Sequence, residues 1–154
     1  MLYRFAEDED MNEMIEILKE GYAMEYGPSG FRKDWIIDHL IFQNKNWYLM
    51  ENKEMEMIGV CCFEMKNSIG TLTHLAIKTK YQRKGFGIQF IKTVECIWKT
   101  MECSVGRMIL PHWTSYNLVP WLNAIEYLEC AGGFYENQKV FIKPTRYVYY
   151  EVSK

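Results

Sequence analysis

The apolar positions at the start of the chain predict a strand followed by two helices. Residues 2–6 suit a short strand, and the next apolar positions are spaced as on one face of a helix, at Met11, Met14, Ile15, Leu18 and Tyr22. Asp10 and Glu13 fit a capping box, so the first helix is expected over residues 10–21. A turn at residues 27–30 separates it from a second helix, expected over residues 32–42.

The middle of the chain is typical of strands and then of one long helix. Residues 47–51 and 55–65 are expected to form a hairpin around Asn52-Lys53, and residues 71–78 a further strand. Over residues 86–103 an apolar stripe at helical spacing predicts a helix, which Gly106 is expected to end. Residues 107–112 then suit a strand.

The C-terminal part predicts one more helix and two strands. Pro120 suits the first turn of a helix that runs to Ala131 and stops at Gly132-Gly133. Residues 140–143 and 146–152 are expected to be strands. The order of elements, β-α-α-β-β-β-α-β-α-β-β, predicts a single α/β domain over residues 1–154, with one parallel crossover.

Composition and charge narrow the classes of function. The net charge of -2 and the lack of a basic stripe argue against a nucleic-acid partner. No apolar run reaches the length of a membrane span. The N-terminus lacks the apolar stretch of a secretory signal, so a cytoplasmic location is expected. The five cysteines have no zinc-like spacing with the three histidines, which favours reduced thiols and no metal site.

One loop carries the most informative pattern in the chain. A basic segment with two glycines, Gly85 and Gly87, lies between a predicted strand and a predicted helix. Backbone N–H groups at a helix start have no internal partner and lie at the positive end of the helix dipole, which suits pyrophosphate. Glycine lets phosphate oxygens approach the backbone. Arg83 and Lys84 add charge that attracts a polyanion.

Two common nucleotide-binding patterns do not fit this loop. A P-loop needs a Lys and a Ser or Thr after its last glycine, whereas Gly87 is followed by Ile88 and Gln89. A dinucleotide-binding fingerprint needs a third glycine where Phe90 stands.

The remaining pattern is Q/R-x-x-G-x-G/A, present as Gln82, Gly85 and Gly87. It resembles the pyrophosphate-binding motif of the GNAT superfamily of acyl-CoA-dependent N-acetyltransferases. The preceding Leu75-Ala76-Ile77 and the aromatic Tyr81 occupy the positions that such residues have in that family. Arg83 stands where a glycine is frequent. The order of elements extends the resemblance over nearly the whole chain.

The resemblance implies a mixed, mostly antiparallel sheet of about seven strands, flanked by about four helices and splayed after the strand that precedes the motif. It implies acetyl-CoA as the acetyl donor. The backbone of Leu75, Ala76 and Ile77 would then hold the pantetheine arm and polarise the thioester. The pyrophosphate would be bound by the loop and helix start, Gln82, Arg83, Lys84, Gly85, Phe86, Gly87 and Ile88. Asn117 and Asn123 both compete for the asparagine that the family places near the pantetheine.

The residues expected to accept a proton from the amine follow the family pattern less closely. The family often has an acid or a histidine where this chain has Thr71 and Thr73. His74 is adjacent, but strand alternation directs it to the opposite face, where a core histidine is expected. Glu64, acting through a water, and His112, at the end of the following strand, are the two alternatives for the base.

The general acid toward the coenzyme sulfur is commonly a tyrosine on the last helix of this family. Tyr127 is the nearest tyrosine and is displaced from the expected position by one or two residues. Its two interpretations, general acid and core aromatic, stay open at equal weight.

The acceptor implied by the resemblance is an amine of a small molecule or a peptide. Side chains from the segments that usually contact it are Tyr22, Glu25, Tyr26, Phe31, Trp35 and Tyr147. Two other functions are compatible with the sequence: a coenzyme A-binding module without catalysis, and an interaction protein that binds no nucleotide. A homodimer is also compatible with it.

Overall fold

The computed structural model describes residues 1–26, 46–111, 122–130 and 138–145. Its strands are β1 (Leu2–Phe5), β2 (Asn46–Glu51), β3 (Met57–Lys66), β4 (Ile69–Ile77), β5 (Val105–Pro111), β6 (Leu128–Glu129) and β7 (Gln138–Pro144). Its helices are α1 (Met11–Tyr26) and α2 (Phe86–Thr100), with short 3-10 helices at Asp8–Asp10 and Thr79–Tyr81. The predicted helix over residues 32–42, strand over residues 146–152 and stop at Gly132-Gly133 lie outside the described residues.

The described strands form one seven-stranded sheet in the order β1-β2-β3-β4-β5-β7-β6. β1 with β2, β2 with β3, β5 with β7 and β6 with β7 are antiparallel pairs, whereas β4 and β5 are parallel. The α/β class, the mostly antiparallel sheet and the parallel crossover through α2 are therefore confirmed. The single domain over residues 1–154 stays a prediction.

Contacts divide the chain into two units. The first comprises Met1–Glu64 and Thr73–Phe90, and the second Met65–Leu72 and Ile91–Lys154. The first unit packs α1 on one face of its strands. This core consists of buried side chains from α1 and from β2 to β4, namely Met14, Ile15, Ile17, Leu18, Trp47, Leu49, Met57, Val60, Cys62 and Ala76. Burial of this apolar surface is the main force that holds α1 on the sheet.

An ion-pair network fixes the entry into α1 and corrects one prediction. The Arg4 guanidinium donates to both carboxylate oxygens of Asp10, at 2.7 and 2.8 Å, and to Glu51 at 2.5 Å. The Asp10 carboxylate also accepts the amide of Glu7, at 2.8 Å. The capping box predicted from Asp10 and Glu13 is therefore wrong, because Asp10 closes the turn over residues 7–10 instead. Gly21 does not end the helix, which continues to Tyr26.

In the second unit, α2 lies close to its strands because glycines face a buried tryptophan. Trp98 is fully buried. A Cβ added at Gly70 would lie 2.2 Å from its ring, and one at Gly106 would lie 2.9 Å from it. Gly106 is thus a residue of β5 that gives room to Trp98, and the prediction that it ends the helix is wrong.

The helix that contains Trp98 ends earlier than predicted, at a glutamate. Glu102 has φ 64°, and the amides of Glu102 and Cys103 donate to the carbonyls of Lys99 and Trp98. This pair of hydrogen bonds is a Schellman motif, which caps a helix with a left-handed residue that is usually glycine. The helix therefore ends at Thr100 rather than at residue 103.

A second glutamate corrects the prediction of a helix over residues 120–131. Within the described part of that segment only Leu122–Ala124 is helical. Glu126 has φ 71°, and the amides of Glu126 and Tyr127 close the same type of motif. Leu128 and Glu129 then pair with Ile142 and Phe141 of β7, so Tyr127 precedes a strand that periodicity did not predict.

Replacing each capping glutamate by glycine is expected to stabilise the protein. At a left-handed φ a non-glycine residue costs about 1–2 kcal/mol, and the extra freedom of glycine in the unfolded chain offsets part of the gain. Glu102→Gly and Glu126→Gly should each raise the free energy of unfolding by about 0.5–1 kcal/mol, measured by urea denaturation. Glu16→Gly, on the exposed face of α1, is the matched control and should lower it by about 1 kcal/mol. Equal destabilisation by all three changes would contradict this account of the helix ends.

Candidate functional site

The loop singled out by its sequence connects β4 to α2 and lies wholly in the first unit. It begins with a turn of 3-10 helix at Thr79–Tyr81, in which the amide of Tyr81 donates to the carbonyl of Lys78 at 2.8 Å. The side-chain amide of Gln82 then donates back to the carbonyl of Ile77 at 2.9 Å. Gln82 therefore joins the loop to the end of β4, and this hydrogen bond is a structural reason for a glutamine at this position of the motif.

Two left-handed residues shape the second half of the loop. Arg83 has φ 60° and Gly85 has φ 84°. A Cβ added at Gly85 would have no atom within 4 Å, so the space beside this backbone is open. A left-handed φ is the conformation that glycine adopts without strain. In this chain an arginine adopts the same conformation, at a cost of about 1–2 kcal/mol.

The first turn of α2 has backbone donors available for a ligand. The amide of Gln89 donates to the carbonyl of Gly85, at 3.1 Å. The amides of Phe86, Gly87 and Ile88 come before this donor, and a helix has no internal acceptor for them. They lie at the positive end of the helix dipole, beside the open side of Gly85. Such a cradle fits the oxygens of a diphosphate.

The loop carries four cations, and carboxylates bind two of them. Lys78 pairs with Glu13 at 3.1 Å and with Glu56 at 3.3 Å, and Lys80 pairs with Glu56 at 2.6 Å. Arg83 and Lys84 are exposed, and within the described part of the chain neither pairs with a carboxylate. The unpaired positive charge of the loop is thus next to the amides of α2.

Glu56 is a residue of this site that sequence reasoning missed. It lies just before β3 and accepts the hydroxyl of Tyr81, at 2.5 Å, besides its two lysine partners. The Lys80 ammonium and the Tyr81 hydroxyl lower the pKa of Glu56 from 4.5 to about 2. Its contacts join residues 22 to 25 positions apart, and no local pattern indicates such a pairing.

Helix α1 adds a second support to the start of the loop. The Glu20 carboxylate accepts the backbone amide of Thr79, at 2.9 Å. Together with the pair between Glu13 and Lys78, this contact fixes the path of the chain as it leaves β4.

The strand that precedes the loop is partly outside the parallel ladder. The register with β5 pairs Ile69–Leu72 with Val105–Met108, and β4 then continues to Ile77. Ala76 is buried, whereas Leu75 and Ile77 are half-buried. Gly59 of β3 lies against this end, where an added Cβ would be 2.6 Å from Ile77.

Of the two residues proposed to accept a proton from the amine, Glu64 is half-buried on β3. The other, His112, lies outside the described residues. The hydroxyl of buried Thr71 accepts Nε of Arg107, at 3.1 Å. His74 stacks on Trp47 with ring centroids 5.9 Å apart, on the α1 side of the sheet, as expected for a core histidine.

Tyr127 is fully buried in the second unit. Its hydroxyl donates to Glu95 at 2.9 Å, and Glu95 also pairs with Lys143 at 2.9 Å. Burial, and then the charge of Glu95, raise the pKa of Tyr127. Asn123 is exposed, and Asn117 lies outside the described residues. The side chains named for the acceptor, on residues 22, 25, 26, 31, 35 and 147, lie outside the described side chains as well.

No protein-family model and no curated protein matches the sequence. The fold, in contrast, matches solved structures along almost their whole length. An acetyltransferase of the GNAT family from Staphylococcus aureus Mu50 matches with a TM-score of 0.77 at 12% identity, over 94% of this chain and 99% of that chain. The ribosomal-protein-S18-alanine N-acetyltransferase from Escherichia coli matches with a TM-score of 0.76 at 11% identity, over 95% and 94% of the two chains.

A third solved structure holds the coenzyme. An acetyltransferase from Bacillus subtilis in complex with CoA matches with a TM-score of 0.69 at 14% identity, over 92% of this chain and 97% of that chain. The chain therefore has the fold of the GNAT superfamily, which confirms the resemblance at the level of the fold. Within the described residues no helix has the length and apolar character needed to span a membrane.

The lowered pKa of Glu56 predicts a pH-dependent contribution to stability. A carboxylate whose pKa is lower in the folded than in the unfolded protein stabilises the fold above its unfolded pKa. This stabilisation should be complete above pH 4.5 and be lost as the pH falls toward 2. The difference in melting temperature between the wild-type protein and Glu56→Gln, followed by circular dichroism, should shrink over that interval. Glu54→Gln, at an exposed position in the same turn, is the control, and a difference independent of pH would contradict the assignment.

Proposed function

We propose that this chain transfers an acetyl group from acetyl-CoA to an amine of a small molecule or a peptide. The observation that carries the proposal is the cradle at the start of α2, with open space beside Gly85 and the amides of residues 86–88 ahead of the first helical donor. The GNAT fold supports it, as does the CoA complex of the acetyltransferase from Bacillus subtilis.

The coenzyme contacts are proposed for residues of one continuous segment. Leu75, Ala76 and Ile77 would hold the pantetheine arm along the end of β4. The amides of Arg83 to Ile88 would bind the diphosphate, with the side chains of Arg83 and Lys84 as its cations. Gln82 would shape the loop through its bond to Ile77.

Acetyl-CoA supplies an activated acetyl group, so the protein has mainly to position it and to handle protons. The amine nitrogen forms a bond to the thioester carbonyl carbon, the carbon–sulfur bond breaks, and the thiolate takes up a proton. Glu64 or His112 is proposed to accept the proton from the amine. For Tyr127, the contact with Glu95 and its complete burial favour the packing role over that of the acid.

A coenzyme A-binding module without catalysis is the second candidate. It is favoured by Thr71 and Thr73, which stand where the family often has an acid or a histidine, and by the burial of Tyr127. A screen for acceptor-dependent release of free thiol across polyamines, amino acids, aminoglycosides and peptides separates the two. Turnover with any amine supports the enzyme, whereas tight CoA binding without turnover supports the module.

Calorimetry with acetyl-CoA tests directly whether the protein binds the coenzyme. Binding heat and a rise in melting temperature are expected, because a ligand that binds only the folded state stabilises it. No heat and no thermal shift would remove the coenzyme from this proposal and leave an interaction protein in its place.

Gly85→Val is expected to weaken coenzyme binding while the circular dichroism spectrum stays largely native. The added side chain occupies the open space beside the cradle, and the loss of one or two charge-assisted hydrogen bonds corresponds to a fall in affinity of about tenfold or more. Gly87→Val should act in the same direction.

The matched control for Gly85→Val is Glu102→Val, which also places a β-branched residue at a left-handed φ. It should lower stability without changing the Kd for CoA. Native affinity in Gly85→Val would count against the loop as the diphosphate site.

A further inference from the structure

Among the described residues, Glu56 is the one carboxylate that contacts three side chains of the loop. Its two oxygens accept the Tyr81 hydroxyl, the Lys80 ammonium and the Lys78 ammonium, at 2.5, 2.6 and 3.3 Å. The Glu56 side chain is itself held in place, because the side-chain amide of Asn52 donates to it at 3.2 Å. The turn before β3 thus carries a prearranged acceptor for the first half of the loop.

These contacts divide the four cations of the loop into two pairs. Lys78 and Lys80 are neutralised by carboxylates, and their ammonium groups are directed toward the turn before β3. Arg83 and Lys84 follow Tyr81, whose ring lies 5.9 Å from the Lys84 ammonium and packs edge-on against Phe86 at 6.0 Å. Tyr81 therefore links the anchored half of the loop to the half that precedes α2.

We propose that Glu56 is a positioning residue for the coenzyme diphosphate, which it serves by holding Tyr81 and the two lysines so that only Arg83 and Lys84 face the ligand. This inference rests on the proposed function. Without Glu56, Lys80 would join Arg83 and Lys84 as a third cation without a carboxylate, and Lys78 would keep only Glu13. These like charges would repel one another, and the backbone around Gly85 would lose its fixed orientation. The ordering of the loop would then have to come from the binding energy of the coenzyme.

The test compares two ligands that differ in the diphosphate. Glu56→Gln and Tyr81→Phe should each raise the Kd for CoA about five- to tenfold, as expected for the loss of a hydrogen bond to a charged group. The Kd for pantetheine, which has no diphosphate, should not change; NMR titration reads this weak binding. Glu54→Gln is the control and should leave both values unchanged. A merely structural role for Glu56 would weaken both ligands alike, and this result would overturn the inference.

Two further measurements identify the cause of a failure. The double variant Glu56→Gln/Tyr81→Phe should weaken CoA no more than Glu56→Gln alone, since Glu56→Gln already removes the contact that Tyr81→Phe removes. Amide hydrogen exchange of the ligand-free protein should be faster at residues 79–85 in Glu56→Gln than in the wild-type protein. If the wild-type protein does not bind CoA, the proposed function fails. If it binds CoA and Glu56→Gln binds equally well, this inference alone fails.

A separate experiment tests whether Arg83 and Lys84, and not Lys80, are the cations that face the ligand. Arg83→Asn keeps a residue that tolerates a left-handed φ, and Lys84→Gln keeps the length of the side chain. Both should weaken CoA and reduce the dependence of its Kd on salt concentration, because each removes a charge that faces the ligand. Lys80→Gln should leave the salt dependence unchanged. A salt dependence reduced as much by Lys80→Gln as by Lys84→Gln would contradict the division.

Discussion

Four positive charges within seven residues, from Lys78 to Lys84, have to be held in one turn between β4 and α2. A short turn cannot spread such charges apart, and carboxylates from elsewhere in the chain reduce their mutual repulsion by pairing with Lys78 and Lys80. Glu13 comes from α1 and Glu56 from the turn before β3. Both depend on the core that packs α1 and the first strands together, so the shape of the loop follows from the hydrophobic packing beneath it.

The part of the fold that local pattern dictates was predicted closely. The hairpin of β2 and β3, the strand β4 and the start of α2 at Phe86 follow from alternation, helical spacing and paired glycines, which are signals within a few residues. The loop was found for the same reason, since its glycines and basic residues are contiguous in sequence.

The helix ends that were predicted wrongly depend on a backbone conformation that the residue type does not indicate. Glycine is the usual sign of a helix end, and here Glu102 and Glu126 take its place with positive φ. The helix predicted over residues 120–131 missed β6 because Leu128 and Glu129 gain their order from pairing with β7. Glu56 was missed because its partners are distant in sequence, and contacts of that kind are determined only by the assembled fold.

Arg83 has a left-handed φ, a backbone conformation that glycine adopts with less strain. Protein engineers who replace unusual residues by the commonest one of a fold would choose glycine there, and the relief of strain would favour that choice. The same exchange would remove one of the two exposed cations beside α2. Folding stability and attraction for an anion are therefore in competition at a single position of this chain, and thermostabilised versions are best built with residue 83 left untouched.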